Sequence, residues 1–186
     1  MKRRVMAIAA VSAWLVPQIA RAGKKEDAQA EARKAADAAL AAVYKAQPAA
    51  RKAVEAAVGY AAFSNFGMKI LVAGGGTGKG VAVNNKTRAV TYMKMGEIQA
   101  GLGFGVKNFK LVWVFETDKA LNDFVNSGWE LGAQATASAK AGSMGAAYQG
   151  AVAVSPGVWL YQLSGDSLAL ELTAKGTKYY KDSDLN

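Results

Sequence analysis

The sequence predicts an α+β fold. It reads as a curled or barrel-like antiparallel sheet of six to nine short strands, with an N-terminal Ala-rich helical segment packed on it and one short inserted helix. Three observations predict it. Composition shifts sharply near Gly59, from Ala, Lys, Glu and Gln to glycine-punctuated apolar segments. Beyond Gly67 the hydrophobic period falls from helical spacing towards two. Leu111–Phe115 is continuously apolar, the mark of a strand buried on both faces. The chain therefore divides into residues 1–22, 23–58 and 59–186.

Residues 1–22 read as a signal peptide. Lys2, Arg3 and Arg4 precede an apolar run from Val5 to Val16, and Ala20-Arg21-Ala22 supplies small residues at a cleavage site. The run is too short to span a bilayer as a folded helix. A periplasmic or secreted protein cleaved near Ala22 is expected. Cleavage would remove four cations and no acid from a formal charge of +9. The mild balance that remains favours anionic surfaces, and export argues against nucleic acid as a partner.

From Lys24 to Val58 the residues are strong helix formers, broken only by Pro48. One helix is expected from about Lys25 to Ala46 and a second from Pro48 to about Val58, with the proline in its first turn. Ala32, Ala36, Ala39, Leu40, Val43 and Tyr44 form the buried stripe. Its first half offers only methyl groups, so that half is expected to fray or to depend on a partner.

Strands are expected at Lys69–Ala73, Gly80–Asn84, Ala89–Met95, Gln99–Val106, Phe109–Glu116, Ala133–Ala139, Val152–Ser155, Val158–Leu163 and Ser167–Thr173. Asn84–Thr87 and Lys107-Asn108 read as hairpin turns. Thr117-Asp118 opens a short helix, Lys119 to Asn126, closed by Gly128. Gly74–Gly80 reads as a loop with Lys79 at its tip.

The chain has neither Cys nor His. That removes thiolate nucleophiles, zinc and iron–sulfur ligation, disulfides and imidazole-based triads. Gly78-Lys79 is not a phosphate loop, because position 73 is Ala, position 80 is Gly, and a strand follows. Ser143 lacks both the glycine two residues before it and any histidine base. Asp182–Asn186 imitates a calcium loop without its glycine and closing glutamate. Glu97, Asp118, Glu130, Asp166 and Glu171 are too scattered to pair as acid and base. No enzyme activity, cofactor or metal is expected.

The cations suggest a binding surface instead. Lys79, Lys86, Arg88, Lys107 and Lys110 would form a basic rim if alternate turns share one edge, where they would attract lipid head groups. Trp129, Trp159, Tyr161, Tyr179 and Tyr180 are aromatics of the kind that settle at membrane interfaces. Gly101, Gly103 and Gly105 alternate with apolar residues and leave one bare strand face. Close approach of the Ala-rich helix is the expected cover, with an acyl chain as the alternative.

Several segments, in order, resemble the SYLF-domain family. They are Gly59-Tyr60-Ala61-Ala62-Phe63, Gly67, the run ending Gly78-Lys79-Gly80-Val81, Gly101 and Gly103, Leu111–Phe115, Leu121 and Phe124, Glu130-Leu131-Gly132-Ala133, and Tyr179-Tyr180. The resemblance extends from about Val54 to Tyr180. It implies a non-catalytic domain that binds anionic phospholipid or a membrane surface. Actin binding belongs to eukaryotic branches of that family and is not expected here. The alternative function is a cell-envelope module that docks a protein through the Ala-rich helix.

Overall fold

The computed structural model describes residues 16–70, 73–100, 105–127, 130–131, 148–165, 167–168 and 177–186. Helix α1 spans Val16–Ala46 and α2 spans Ala49–Ala56. Strands β1 (Gly59–Ile70), β2 (Ala73–Asn84), β3 (Val90–Ala100) and β4 (Gly105–Phe115) follow. After α3 (Asp118–Asn126) come β5 (Glu130–Leu131), β6 (Val152–Ser155), β7 (Val158–Ser164), β8 (Ser167–Leu168) and β9 (Thr177–Lys181). Among the described residues these nine strands join one antiparallel sheet ordered β5-β9-β3-β2-β1-β4-β7-β6, with β8 paired to β7.

The sheet curls into a half-barrel. Flat, the four strand steps from β9 to β4 would separate them by about 19 Å. Yet the rings of Tyr179 on β9 and Trp113 on β4 lie 5.1 Å apart, and Tyr179 is also 5.1 Å from Phe63 on β1. These rings and Phe124 of α3 fill the concave face, together with Met93, Met95, Phe115 and Leu160. Thr117 caps α3, its hydroxyl accepting from the Ala120 amide at 3.2 Å.

Glycine makes the curl possible in β2. Gly78 and Gly80 are buried. A Cβ at Gly78 would press on the Met95 side chain at 2.6 Å, and one at Gly80 would overlap the Ala62 carbonyl. The run 74–80 is therefore strand rather than loop: its glycines answer a crowded face, not a turn. Local composition cannot distinguish those two demands.

Helix α1 crosses the convex face. Ala32, Ala36, Ala39 and Val43 are buried against Ala62, Val81, Val83, Tyr92, Val112 and Val114. The first half of the helix is docked on the chain's own sheet. Its methyl groups pack closely, and polar side chains tie it down. Gln29 Nε2 donates to the Leu185 carbonyl at 2.7 Å, Lys25 Nζ to the Asn186 carbonyl at 3.2 Å, and Arg33 Nε to the Tyr92 hydroxyl at 2.7 Å. Apolar bulk alone was the wrong measure of docking strength. The expected cleavage point after Ala22 falls inside α1.

Other expectations are corrected by pairing. Lys107-Asn108 is no turn, since the two residues pair with Gly67 and Phe66 inside β4. Of the expected strand at 69–73, residues 69–70 end β1 and residue 73 opens β2; of that at 99–106, residues 99–100 end β3 and 105–106 open β4, and the residues between lie outside the described ones. β1 and β9 are further strands that the sequence reading does not place, although β1 is central and the Thr177, Tyr179 and Tyr180 of β9 favour a strand. Gly101, Gly103 and the strand expected at 133–139 lie outside the described residues. Gly105 opens β4 opposite Lys69, in the alternation of Phe109, Leu111 and Trp113, on the face away from α1. The helix alanines meet Ala and Val instead of glycine.

Candidate functional site

Strand register builds one polar row on the convex face. Lys94 of β3 stands opposite Lys79 of β2, Lys79 opposite Ser64 of β1, and Ser64 opposite Lys110 of β4. Paired residues on one face have Cβ atoms about 5 Å apart, and like charges directly opposed repel. Lys94 and Lys79 therefore need counter-charge, and each obtains it differently.

Lys79 Nζ meets the Glu31 carboxylate of α1 at 2.7 Å, with both side chains about half exposed or more. Lys94 Nζ lies 2.8 Å from Asp182 Oδ1 and 3.7 Å from Asp184 Oδ2. The Asp182 side chain is only 5% exposed. Its hydrogen bond holds the Lys94 ammonium above the usual lysine range, against the opposing effect of burial.

The turn that carries Asp182 is itself anchored. Its backbone amide donates to the Tyr92 carbonyl at 3.0 Å, while Asn186 Nδ2 donates to that same carbonyl at 2.8 Å. Asn186 Oδ1 accepts from the Tyr92 amide at 3.0 Å. The calcium-loop lookalike is thus a structural clasp, and Lys94 fills the place a cation would take. Among the described residues no group of three or more acidic, Cys or His side chains could hold a metal ion.

Two open grooves share the wall formed by Lys79 and Lys94. One, of about 510 Å³, is lined by Glu31, Ser64, Thr77, Asn108 and Tyr180 beside those lysines. The other, of about 690 Å³, runs past Lys24, Lys25, Asp182 and Asp184. Tyr180 is the most exposed large apolar side chain among the described residues, at 41%.

The structure brings Lys79 and Lys110 into one row, to which sequence reasoning did not add Lys94 or Ser64. The signal that could have found them is register, which fixes which side chains stand opposite one another. Lys86 and Arg88 sit apart, exposed in the β2–β3 turn. That turn begins five residues beyond Lys79, about 17 Å along the strand. There Asn84 Oδ1 accepts from the Lys86 and Thr87 amides, and Arg88 adopts a positive φ of 61°. Lys107 stands opposite Gly67, out of alternation with Lys110. Tyr161 and Tyr179 are core residues, and Trp159 stacks on Tyr148 at 4.4 Å. Trp129 lies outside the described residues.

Comparison with known proteins adds an independent line. Residues 96–186 match the family described as "Ysc84: Las17-binding protein actin regulator". Residues 96–186 are the segment that matches the Ysc84 (SYLF) family. The chain is also 34% identical over 152 residues to Beta cell expansion factor A of Aeromonas veronii, an alignment that covers 81% of this chain and 56% of that relative. The chain thus spans little more than half the length of that curated relative. The Ysc84 match begins inside β3, so β1, β2 and the α1 face precede it. Within the Ysc84 segment lie Lys110, Tyr180 and Asp182; Glu31, Ser64, Lys79 and Lys94 come from the chain before it. The match supports a lipid-binding or actin-regulator-like role.

Proposed function

We propose that this protein is a non-catalytic module that binds the anionic surface of a phospholipid membrane, acting after export to the periplasm or outside the cell. The observation that carries the reading is the row Lys94–Lys79–Ser64–Lys110, of which Lys79 and Lys94 line two grooves and Ser64 one, with the exposed Tyr180 beside it. Lysines near an anionic surface contribute about 1 kcal/mol each. Tyr180, paired with Lys94 across the strands, adds an amphipathic ring beside the row. Among the described residues no helix is long and apolar enough to cross a membrane.

The alternative of a protein docked on the alanine stripe has less to support it. Ala32, Ala36 and Ala39 are at most 1% exposed against the chain's own sheet. Sedimentation with vesicles of equimolar phosphatidylcholine and phosphatidylglycerol tests the reading. Lys79→Gln with Lys110→Gln should weaken binding roughly 30-fold, from two lost surface lysines. Raising the salt should weaken the wild type as well. Binding that survives both changes refutes the row; loss confined to Lys86→Gln with Arg88→Gln would move the site to the β2–β3 turn.

A further inference from the structure

Resting on that reading, we infer that the Glu31 carboxylate is an internal occupant of a phosphate position at Lys79, and that a phosphate-bearing ligand binds by displacing it. The two central lysines are not equivalent. Lys94 is committed to a nearly buried carboxylate whose turn is hydrogen-bonded to the β3 backbone. Lys79 is held by one carboxylate on an exposed helix position, a contact that water already competes for. Lys79 is the cation that can change partners.

Its surroundings suit a phosphate better than a carboxylate. Thr77 and Ser64 hydroxyls, the Asn108 amide and the Tyr180 phenol line the same groove, offering neutral donors beyond the single contact Glu31 makes. Glu31 is the only carboxylate among the described residues lining it. A volume of about 510 Å³ accommodates a phosphorylated head group or a free phosphate ester. Displacement requires only that the Glu31 side chain rotate away. The backbone of α1 stays clasped through Gln29 and Arg33. Glu31 thus makes affinity a competition between an internal and an external anion at one ammonium.

The test is Glu31→Gln, which keeps the shape and removes the charge. Its control is Glu55→Gln, which makes the same change in net charge at an exposed pair with Arg51 on α2. The probes are the vesicles named above and inorganic phosphate, read by sedimentation and by the amide resonances of Thr77 and Lys79. Glu31→Gln should bind vesicles two- to fivefold more tightly, the range of an exposed ion pair, whereas Glu55→Gln should not. Adding Lys79→Gln should abolish the gain. Tightening towards both probes identifies phosphate itself as the recognised group, and tightening towards vesicles alone identifies the lipid surface as its source. Equal effects of the two glutamate variants, or no effect of Glu31→Gln on a wild type that binds, overturn the competition while leaving surface binding intact. Failure of every variant to bind either probe overturns both readings.

Discussion

Breaking the Lys94–Asp182 pair from its two sides should cost unequal amounts. Asp182 is 5% exposed at the side chain and Lys94 is 38% exposed. Lys94→Met leaves a carboxylate whose other described side-chain contact is the Asp184 amide at 3.1 Å. Removing one partner of a fully buried pair costs about 3–5 kcal/mol. Water at the lysine end reduces that here to about 2–3 kcal/mol. Asp182→Asn keeps an Oδ1 that can accept from both Lys94 and Asp184, and frees an ammonium that reaches solvent, for about 1 kcal/mol. In a chain of this size each kcal/mol moves the melting temperature by about 2–4 °C. Calorimetry should therefore show Lys94→Met falling by about 5–10 °C and Asp182→Asn by about 2–4 °C. The double variant should lie close to Asp182→Asn alone, because no buried charge is then left unpaired. Equal single losses, or strict additivity, would refute the argument that the buried carboxylate sets the cost.

Three further expectations concern the scaffold. Asn85 Nδ2 donates to the carbonyls of Val54 at 2.7 Å and Ala57 at 2.9 Å, closing α2, so Asn85→Ala should cost about 2 kcal/mol and increase amide exchange in α2. Gly80→Ala places a methyl group into the Ala62 carbonyl and the Phe63 ring; a loss of about 3 kcal/mol in urea unfolding is expected, and a neutral result would contradict the close strand approach. The hydroxyl of buried Tyr161 has no hydrogen-bond partner among the described residues, and burial pushes its pKa up to about 12. The folded state then holds that proton above pH 10 while the unfolded chain releases it, so the stabilisation is complete below pH 10 and falls between pH 10 and 12. Tyr161→Phe should match or exceed wild-type stability at pH 7 and flatten that alkaline decline by up to about 1.4 kcal/mol per pH unit.

What was legible in the sequence was whatever a local rule controls. The stripe Ala32, Ala36, Ala39 and Val43, the cap at Thr117 and the turn at Asn84 each depend on neighbours within a few residues, and each appears where expected. The glycine run misled because its cause lies on other strands: Met95 and the Ala62 carbonyl exclude a Cβ there. β1 was hidden for a related reason. Its Ala61-Ala62 pair and polar Ser64 carry little strand propensity, and its place between β2 and β4 is enforced by two full ladders. The site followed the same division. Lys79 and Lys110 were singled out by charge, but their meeting in one row with Lys94 and Ser64 is a fact of register, 46 residues apart for Ser64 and Lys110.

The matched segment and the folding unit have different boundaries, which makes a last prediction. Residues 96–186 retain β4 to β9 but only the final five residues of β3, and they lack β1 and β2. β4 would lose its entire ladder to β1, an unpaired edge alongside the apolar run Leu111–Phe115. On the concave face Phe63 would vanish from between Tyr179 and Phe124, whose rings it meets at 5.1 and 6.3 Å. On the convex face Val112, Val114, Tyr161 and Leu163 would lose the cover of α1. A fragment of residues 96–186 should therefore aggregate or give a collapsed proton–nitrogen spectrum, whereas residues 23–186 should unfold cooperatively. A dispersed spectrum from the short fragment would refute this and make the first strands an addition to an autonomous core. The same boundary divides the row and its two grooves: Lys110 of the row, Tyr180 of one groove and Asp182 of the other come from the matched segment, and Glu31, Ser64, Lys79 and Lys94 from the chain before it. The proposed anion site therefore requires both halves of the sheet, joined through β1.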